Sequence, residues 1–258
     1  MVSIPQLGQE IFQAERDARA VLPLSARFAD LDAHDAYAIQ AEYARLRAAA
    51  GATLIGRKIG ATSEAIQQQL GVGTPDYGHL FDDMVIADGG AVDLSELVAP
   101  MIEPEIAFRL GRPLSGPGLE LADVLAAVTA VCPALEIIDS RIADWKIAFV
   151  DTVADNGSSA RCVFGPEQTL DPGTDLSAEF VRLSQDGIEV TSGPGTAVLG
   201  HPAAAVAWLA NSLAEFGASL RAGDLVLSGS LTRATQLRSG SVYTAVFLNL
   251  GSVSCRVR

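Results

Sequence analysis

The sequence predicts an α+β fold, in which a short helical region precedes a body built mainly of mixed or antiparallel strands. Three observations lead to this prediction. Apolar residues recur at helical spacing in roughly the first 50 residues, and short runs rich in Ile, Val and Phe alternate with Gly, Asp and Pro after that point. Few helical patterns interrupt those runs, so the order lacks the regular strand–helix alternation of a doubly wound fold.

Residues 1–52 form the predicted helical N-terminal region. Its clearest helix follows Asp32, whose side chain can cap the first turn. It ends before Gly51, which suits the left-handed position just after a helix. Between these two residues, the apolar residues at helical spacing are Ala36, Ile39, Tyr43 and Leu46.

Residues 53–258 form the predicted mixed-β catalytic body. The clearest strands are expected at 102–110, 134–139, 160–164, 179–184, 188–192, 224–228 and 242–250. Asp186-Gly187 separates two of these runs and predicts a hairpin. Helices are expected at about 119–130 and about 202–216. The stretch VDTVADNGSSARCVFG, at 150–165, predicts a long polar loop that leads into a strand.

The composition is typical of a soluble, cytoplasmic protein. A formal charge of −13 argues against a nucleic-acid partner, which requires clustered Lys and Arg, and against docking on anionic membranes. The three cysteines lie far apart without CxxC spacing, which suits a reducing compartment and predicts no zinc site. We expect neither a signal peptide nor a transmembrane helix.

Several familiar catalytic motifs are absent from the sequence. No GxGxxG follows a strand, and no GxxxxGK[ST] phosphate-binding loop occurs. The three histidines form no HExxH motif, and no GxSxG elbow supports a nucleophilic serine. The search for chemistry therefore narrows to carboxylates in apolar surroundings.

The segment PMIEPEIAF, at 100–108, places Glu103 and Glu105 in an otherwise apolar strand. Side chains two residues apart on a strand point to the same face, so these two carboxylates should lie side by side. Two like charges 4 Å apart repel by roughly 4 kcal/mol at an effective dielectric constant near 20. A proton, a basic partner or a metal ion must offset this repulsion. Glu136, in CPALEIIDSR, lies in a second apolar run.

Two interpretations of these three glutamates remain open from the residues alone. Buried carboxylates are paired or bound to metal, and three on two strands suit a hard divalent cation, Mg²⁺ or Mn²⁺. Alternatively, each glutamate pairs with a nearby arginine, for which Arg109 and Arg141 are candidates, or faces solvent.

Other candidate site residues have equally simple alternative interpretations. Lys58 lies between glycines in LIGRKIGATS, where it could meet a carboxylate or could be a solvated turn lysine. Asp76, in GTPDYGHLF, lies in a turn-like segment and could be a turn former. Ser158 and Asn156 could bind a substrate carboxylate, although a plain turn explains them as well.

A series of segments resembles one known family. In order, these are GRKIGATS, PDYGHLFDDM, IEPEIAF, PALEIIDSRIADWKIAFVDTVADNGSS, LGHPAAAVAWLAN and AGDLVLSGSLT. Together they resemble the 2-keto-4-pentenoate hydratase and 4-oxalocrotonate decarboxylase family of the fumarylacetoacetate hydrolase superfamily. The resemblance runs from about residue 35 to the C-terminus, and the combined set is far more specific than any single motif.

The resemblance implies a mixed β-roll body of the fumarylacetoacetate hydrolase C-terminal type, with a small helical N-terminal part. It also implies a divalent metal held by Glu103, Glu105 and Glu136, with Lys58 and Asp76 beside the substrate. Family members form large homo-oligomers, commonly decamers, and hydratases and decarboxylases of the family can associate. Ala61 departs from the larger apolar residue of many relatives, which bears on pocket volume rather than chemistry.

The expected activity is metal-dependent addition of water to 2-hydroxypenta-2,4-dienoate, giving 4-hydroxy-2-oxopentanoate in aromatic meta-cleavage degradation. The nearest alternative is decarboxylation of 2-oxohex-3-enedioate with the same metal ligands. A third is a hydratase of a longer substrate, whose distal carboxylate could meet Arg57 or Arg233. Hydrolysis of an acylpyruvate is disfavoured because it calls for a catalytic histidine. A non-catalytic scaffold is disfavoured because the three glutamates are intact.

Overall fold

A computed structural model of the chain describes residues 3–63, 67, 73–171 and 173–258. The helices described are α1 (Ile4–Arg16), α2 (Leu24–Arg27), α3 (Ala33–Ala49), α4 (Leu121–Ala127), α5 (Phe149–Ala154) and α6 (Pro202–Glu215). Helix α3 begins and ends as the sequence predicts. The Asp32 side chain accepts a hydrogen bond from the Asp35 backbone N–H, and Gly51 has φ +104°.

The strands account for most of the body. They are β1 (Leu54–Gly60), β2 (Asp76–Phe81), β3 (Val85–Ile86), β4 (Ala91–Val92), β5 (Met101–Leu110), β6 (Val128–Ile138), β7 (Ser159–Phe164), β8 (Gln168–Thr169), β9 (Phe180–Gln185), β10 (Ile188–Pro194), β11 (Leu225–Ser230), β12 (Thr235–Gln236), β13 (Val242–Phe247) and β14 (Gly251–Val257).

These strands form two mixed sheets. The larger has the order β2-β1-β11-β5-β6-β7-β3, with β12 beside β5 and β8 beside β6. Strands β1 and β11 pair in parallel, as do β3 and β7, whereas β11, β5, β6 and β7 pair antiparallel. The smaller sheet has the order β10-β9-β13-β14-β4. The mixed α+β architecture expected from the sequence is therefore confirmed.

Each strand that the sequence predicted before residue 242 is present, and the hairpin at Asp186-Gly187 joins β9 to β10. The prediction of a single strand at 242–250 was wrong. The chain turns after Phe247 and returns as β14, pairing Phe247 with Gly251. Because the turn carries two leucines, the exposed Leu248 and the buried Leu250, no polar cluster marks it in the sequence.

Two further predictions were wrong in detail. The helix expected at about 119–130 ends at Ala127. The remaining residues of the predicted range, 128–130, belong to β6. The segment 150–165, expected to be a polar loop, is mostly regular secondary structure. It contains most of α5, a single helical turn over Asn156–Ser158 and strand β7. Helix α5 is too short for its apolar periodicity to be recognised.

The hydrophobic core lies on both faces of the larger sheet. Ile102, Ile106 and Phe108 of β5 pack on the face shared with helix α6 and the smaller sheet. The opposite face carries Ala107 of β5, which belongs to the cluster formed with helices α1 and α3. Glu103 and Glu105 lie four and two residues before Ala107 in β5, so they share its face of the strand. That face is opposite the one that carries Ile102 and Ile106, as strand alternation predicted.

Helix α3 is tied to the larger sheet by a buried amide. Gln40 is 1% exposed, and its Nε2 donates to the backbone oxygens of Tyr77 in β2 and Val153 in α5, both at 2.8 Å. Those two elements carry residues of the site described below. The N-terminal helices therefore contribute to holding β2 and α5 in place.

One segment, Gly195–Glu215, is long and apolar enough to span a membrane by length and composition. Half of its most apolar window is buried inside the fold. Its helix, α6, packs Val206, Leu209 and Leu213 into the main hydrophobic cluster. These contacts are those of a core helix.

Replacing Gln40 with Leu should destabilise the fold, because it leaves two buried carbonyl groups without their donor. We expect the free energy of unfolding to fall by about 2–4 kcal/mol, combining two lost bonds at about 1–2 kcal/mol each. Urea denaturation of Gln40→Leu measures this, with Gln9→Leu on the exposed side of α1 as the control. Equal midpoints for the two variants would show that the amide does not link these elements.

Candidate active site

The three glutamates singled out in the sequence come together on adjacent strands. Glu103 of β5 is directly opposite Glu136 of β6 in the antiparallel register, and Glu105 lies two residues further along β5. Each offers a carboxylate oxygen, and these oxygens all lie within 4.8 Å of one another. Glu105 and Glu136 are fully buried, whereas Glu103 is partly exposed to a cavity.

Neither nearby arginine pairs with these glutamates. Arg109 forms a salt bridge with Glu167, at 2.5 Å, near the surface. Arg141 forms a buried salt bridge with Asp155, at 2.6 Å. The arginine interpretation was therefore wrong, since both guanidinium groups are committed elsewhere.

The cationic neighbour of the cluster is Lys58 of β1. Its Nζ lies 3.2 Å from Glu136 Oε2, and both side chains are almost completely buried. Burial alone would lower the pKa of Lys58, but the adjacent carboxylates of Glu136 and Asp76 outweigh it and hold the pKa above its ordinary value. Lys58 is therefore an ammonium group, not a solvated turn lysine.

One lysine does not neutralise three carboxylates. Burial, followed by the charge of Glu136, raises the pKa of Glu103 to about 7 against the lowering effect of Lys58. Burial and Glu136 also raise the pKa of Glu105 well above its ordinary value. Part of the cluster therefore favours the protonated state when no additional cation is close.

The unused lone pairs of the cluster fit a hard cation. Glu105 Oε1 and Glu136 Oε1 are buried and accept no hydrogen bond from the residues that the structure describes. Glu105 Oε2 accepts one from the Gly229 backbone N–H at 2.8 Å. Gly229 has φ +101° at a register shift of β11, which turns this N–H toward the carboxylate. An all-oxygen ligand set of this kind suits Mg²⁺ or Mn²⁺.

Asp76 lies beside Lys58 at the start of β2, paired with Gly60 of β1, rather than in a turn. Its Oδ2 accepts a hydrogen bond from Thr152 Oγ at 3.0 Å, while its buried Oδ1 lacks a partner within the described part of the chain. A Cβ on Gly60 would lie 2.2 Å from Oδ1, so only glycine leaves room for this carboxylate.

A cavity of about 480 Å³ opens onto these groups. Lys58, Asp76 and Glu103 are among its lining residues. Its apolar lining includes Met101, Ile138, Trp145, Ile147 and Leu231. Its size falls in the range of pockets for small molecules, and a few convergent polar groups in an apolar setting are typical of such sites.

Ser158 lines this cavity, but its hydroxyl donates to Asp155 Oδ2 at 3.0 Å. Arg57 is not among the cavity residues described. It is next to Lys58 in β1, and successive strand residues project to opposite faces. Its Nη1 donates to the Gly56 carbonyl oxygen at 3.1 Å. The structure thus gives no support to Arg57 as a partner for substrate in this cavity.

Two cavity residues were not identified from the sequence. Thr152 was hidden in the segment predicted as a loop, although it lies in α5 and bonds Asp76. Trp145, which the sequence did not single out, also lines the cavity. Its indole N–H donates to the Ala99 carbonyl oxygen at 2.9 Å, and its φ of +54° is unusual for a bulky residue.

The chain is similar over nearly its whole length to known hydratases. It is 45% identical over 249 residues to 2-hydroxyhexa-2,4-dienoate hydratase of Comamonas testosteroni, covering 96% of this chain and 94% of that protein. It is 45% identical over 248 residues to 2-keto-4-pentenoate hydratase of Paraburkholderia xenovorans (strain LB400), covering 96% and 92%.

The structure is similar to that of 4-oxalocrotonate decarboxylase from Pseudomonas putida G7, which was solved with magnesium and adipate. The TM-score is 0.97 at 39% identity, and the match covers 100% of this chain and 99% of the decarboxylase. Residues 52–258 match the fumarylacetoacetate (FAA) hydrolase C-terminal family. The chain is therefore a member of the fumarylacetoacetate (FAA) hydrolase C-terminal family.

Proposed function

We propose that this protein is a divalent-metal-dependent hydro-lyase that adds water to 2-hydroxypenta-2,4-dienoate and gives 4-hydroxy-2-oxopentanoate. The observation that carries the proposal is the cluster of three carboxylates beside Lys58 and Asp76, facing a cavity with an apolar wall. The names of the relatives at 45% identity support the same reaction class. We infer that this reaction serves aromatic meta-cleavage degradation.

In this proposal, Glu103, Glu105 and Glu136 would hold one Mg²⁺ or Mn²⁺. The solved decarboxylase with bound magnesium supports the choice of Mg²⁺. A cation bound there would supply Lewis-acid stabilisation of negative charge on the C2 oxygen of the substrate. The protein contributes the fixed position of the carboxylates, two of which are held in register by the antiparallel pairing of β5 and β6.

Lys58 and Asp76 would carry the proton transfers and position water. Lys58 is held as an ammonium group, so its Nζ can donate a hydrogen bond or a proton but cannot accept one. Asp76 Oδ1 has a free lone pair, and its carboxylate is fixed through Thr152. Oδ1 would therefore accept a proton from the attacking water. The Lys58 ammonium would donate a proton to the substrate.

The cavity wall bears on the choice of substrate. Met101, Ile138 and Trp145 offer apolar contacts, which suit the short hydrocarbon end of a pentadienoate. The alternative is decarboxylation of 2-oxohex-3-enedioate, and the adipate in the solved decarboxylase favours it as a second candidate. Arg233 also lines the cavity and could meet a second carboxylate.

We also infer that the protein works in the cytoplasm as a homo-oligomer. The resemblance described above supports assembly, with a decamer as the expected size. Val242, Val246 and Leu248 lie exposed on and beside strand β13, which leaves apolar surface to be covered. Sedimentation velocity of the purified protein measures the assembly directly.

The first test is an ultraviolet assay with 2-hydroxypenta-2,4-dienoate and enzyme stripped by EDTA. We expect loss of the dienol absorbance only after Mg²⁺ or Mn²⁺ is added, with a product heavier than the substrate by one water. If 2-oxohex-3-enedioate instead releases CO₂ while the pentadienoate is unchanged, the decarboxylase is the correct assignment. Turnover of neither substrate would contradict the whole proposal.

Binding of Mg²⁺ should stabilise the stripped protein against heat. At 100 times the dissociation constant, a ligand of the folded state contributes about 2.7 kcal/mol. For a chain of this length, this corresponds to a rise in melting temperature of about 5–10 °C. Glu136→Gln should lose most of the rise, because it removes a charged ligand. The exposed Glu189→Gln should keep it. The same rise in Glu136→Gln as in wild type would exclude this cluster as the metal site.

Replacing Asp76 with Asn should lower turnover while metal binding persists. The amide cannot accept a proton as the carboxylate does, so we expect kcat to fall by about 100-fold or more. Isothermal titration with Mg²⁺ should give an affinity close to that of wild type. Asp30→Asn, at an exposed position, is the matched control. Full activity in Asp76→Asn would remove Asp76 from the mechanism.

A further inference from the structure

The aliphatic stem of Lys58 runs through a slot that two glycines keep open. A Cβ on Gly78 of β2 would lie 3.2 Å from Lys58 Cγ. A Cβ on Gly157 would lie 3.2 Å from Lys58 Cδ and 3.4 Å from Cε. The direction of the ammonium group is thus set by backbone packed closely along the stem, by β2 near Cγ and by the turn at Asn156–Ser158 near Cδ and Cε.

That turn has an unusual conformation. Asn156, Gly157 and Ser158 have φ values of +56°, +59° and +54°, so three consecutive residues lie in the left-handed region. L-residues adopt this region as single residues rather than in series, because Cβ crowds the following carbonyl group. Such backbone strain persists only where surrounding contacts hold it, and it is concentrated at functional sites.

The turn is fastened to β2 at the residue after Gly78. Asn156 Oδ1 accepts from the His79 backbone N–H at 2.7 Å, and Asn156 Nδ2 donates to the His79 carbonyl oxygen at 3.0 Å. The side chain of Asn156 thus takes the place of a neighbouring strand. A Cβ on Gly78 would lie only 2.2 Å from the Asn156 carbonyl oxygen, so these two bonds hold Gly78 and the turn next to each other along the Lys58 stem.

A buried ion pair fastens both ends of the turn. Arg141 Nε lies 2.6 Å from Asp155 Oδ1, and Arg141 also donates to the backbone oxygens of Asp155 and Ser159. Asp155 Oδ2 accepts from Ser158 Oγ at 3.0 Å and from the Arg141 backbone N–H at 3.0 Å. Arg141 is 1% exposed and Asp155 0%. Neither is among the described residues that line the cavity.

We propose that Arg141 and Asp155 are positioning residues, which act through the left-handed turn Asn156–Ser158 to hold the Lys58 ammonium against Glu136 and beside Asp76. A lysine stem has four rotatable bonds, so an unsupported ammonium would sample many positions. The ion pair makes no contact with Lys58 itself. Its role in catalysis rests on the function proposed above, but its role in positioning can be measured without turnover.

The first variant, Gly157→Ala, narrows the slot without touching the ion pair. Its control is Gly217→Ala, because Gly217 also has a positive φ, +68°, and no described atom within 4 Å of an added Cβ. Both variants carry similar backbone strain, and only one presses on Lys58. We expect kcat of Gly157→Ala to fall about three- to tenfold below that of Gly217→Ala, because small misplacements of a catalytic group are costly. Mg²⁺ affinity and melting temperature should match those of the control.

The second readout uses the fact that the sequence has two lysines, Lys58 and Lys146. Lys146 is exposed, whereas the Lys58 side chain is 4% exposed. Mass spectrometry after brief acetylation of the folded protein reports the reactivity of each lysine, with Lys146 as the internal reference. Of the two lysines, wild type and Gly217→Ala should be acetylated at Lys146 alone. Gly157→Ala should also be acetylated at Lys58, because the displaced side chain is no longer shielded and the reagent can reach its neutral amine form.

A third variant, Arg141→Lys, tests the ion pair itself. It retains the positive charge but cannot make the bonds to the backbone oxygens of both Asp155 and Ser159. We expect exposure of Lys58 to acetylation and a drop in kcat with KM changed less than threefold. Should Arg141→Lys fail to fold, Asp155→Asn, which removes the anionic partner of Arg141, tests the ion pair with the same two measurements.

The outcomes separate cleanly. If Lys58 stays protected in Gly157→Ala and its kcat equals that of Gly217→Ala, the turn does not position Lys58 and the inference is overturned. If wild type shows no hydratase turnover but Lys58 becomes reactive in Gly157→Ala and stays protected in Gly217→Ala, the proposed function fails while the positioning role stands.

Discussion

The repulsion among three closely spaced carboxylates, two of them fully buried, is the constraint on which the rest of the structure depends. Glu103, Glu105 and Glu136 share one face of two central strands, in a protein that already carries a formal charge of −13. Their proximity is stable only with compensation, which Lys58 supplies in part. Three features keep the Lys58 ammonium close to the carboxylates: strand pairing, the positions of the glycines and the turn beside Lys58. They also leave carboxylate lone pairs for the metal ion proposed above.

Different strands supply the carboxylates and the lysine of the site. Strands β5 and β6 supply the carboxylates, and β1 supplies the lysine through its parallel pairing with β11, which also carries the Gly229 N–H. The described residues that line the cavity include none from the N-terminal helices. Gln40 of α3 nevertheless anchors both β2 and α5. The rigidity of the site therefore draws on packing across the whole larger sheet.

Much of the fold was predictable because local patterns encode it. Alternation within one strand placed Glu103 and Glu105 on the same face, and capping residues marked helix α3. The opposition of Glu103 and Glu136 depends on strand register, which a single sequence does not reveal. Short elements were also missed: α5 and the start of β2 carry Thr152 and Asp76, and each resembles a loop over so few residues. Arg57 stays a prediction without support from the described cavity, because its neighbour Lys58 projects to the face that meets the cavity.

The bond from Gly229 to Glu105 joins residues 124 positions apart in the chain. The site therefore closes only when β11 has docked between β1 and β5, which requires contacts between segments distant in sequence. If the cluster binds a cation as proposed, that cation would have no preformed site in the unfolded chain, so it would act mainly by slowing unfolding once the sheet is complete. Withdrawal of metal would then shorten the lifetime of the assembled protein while leaving its rate of folding almost unchanged.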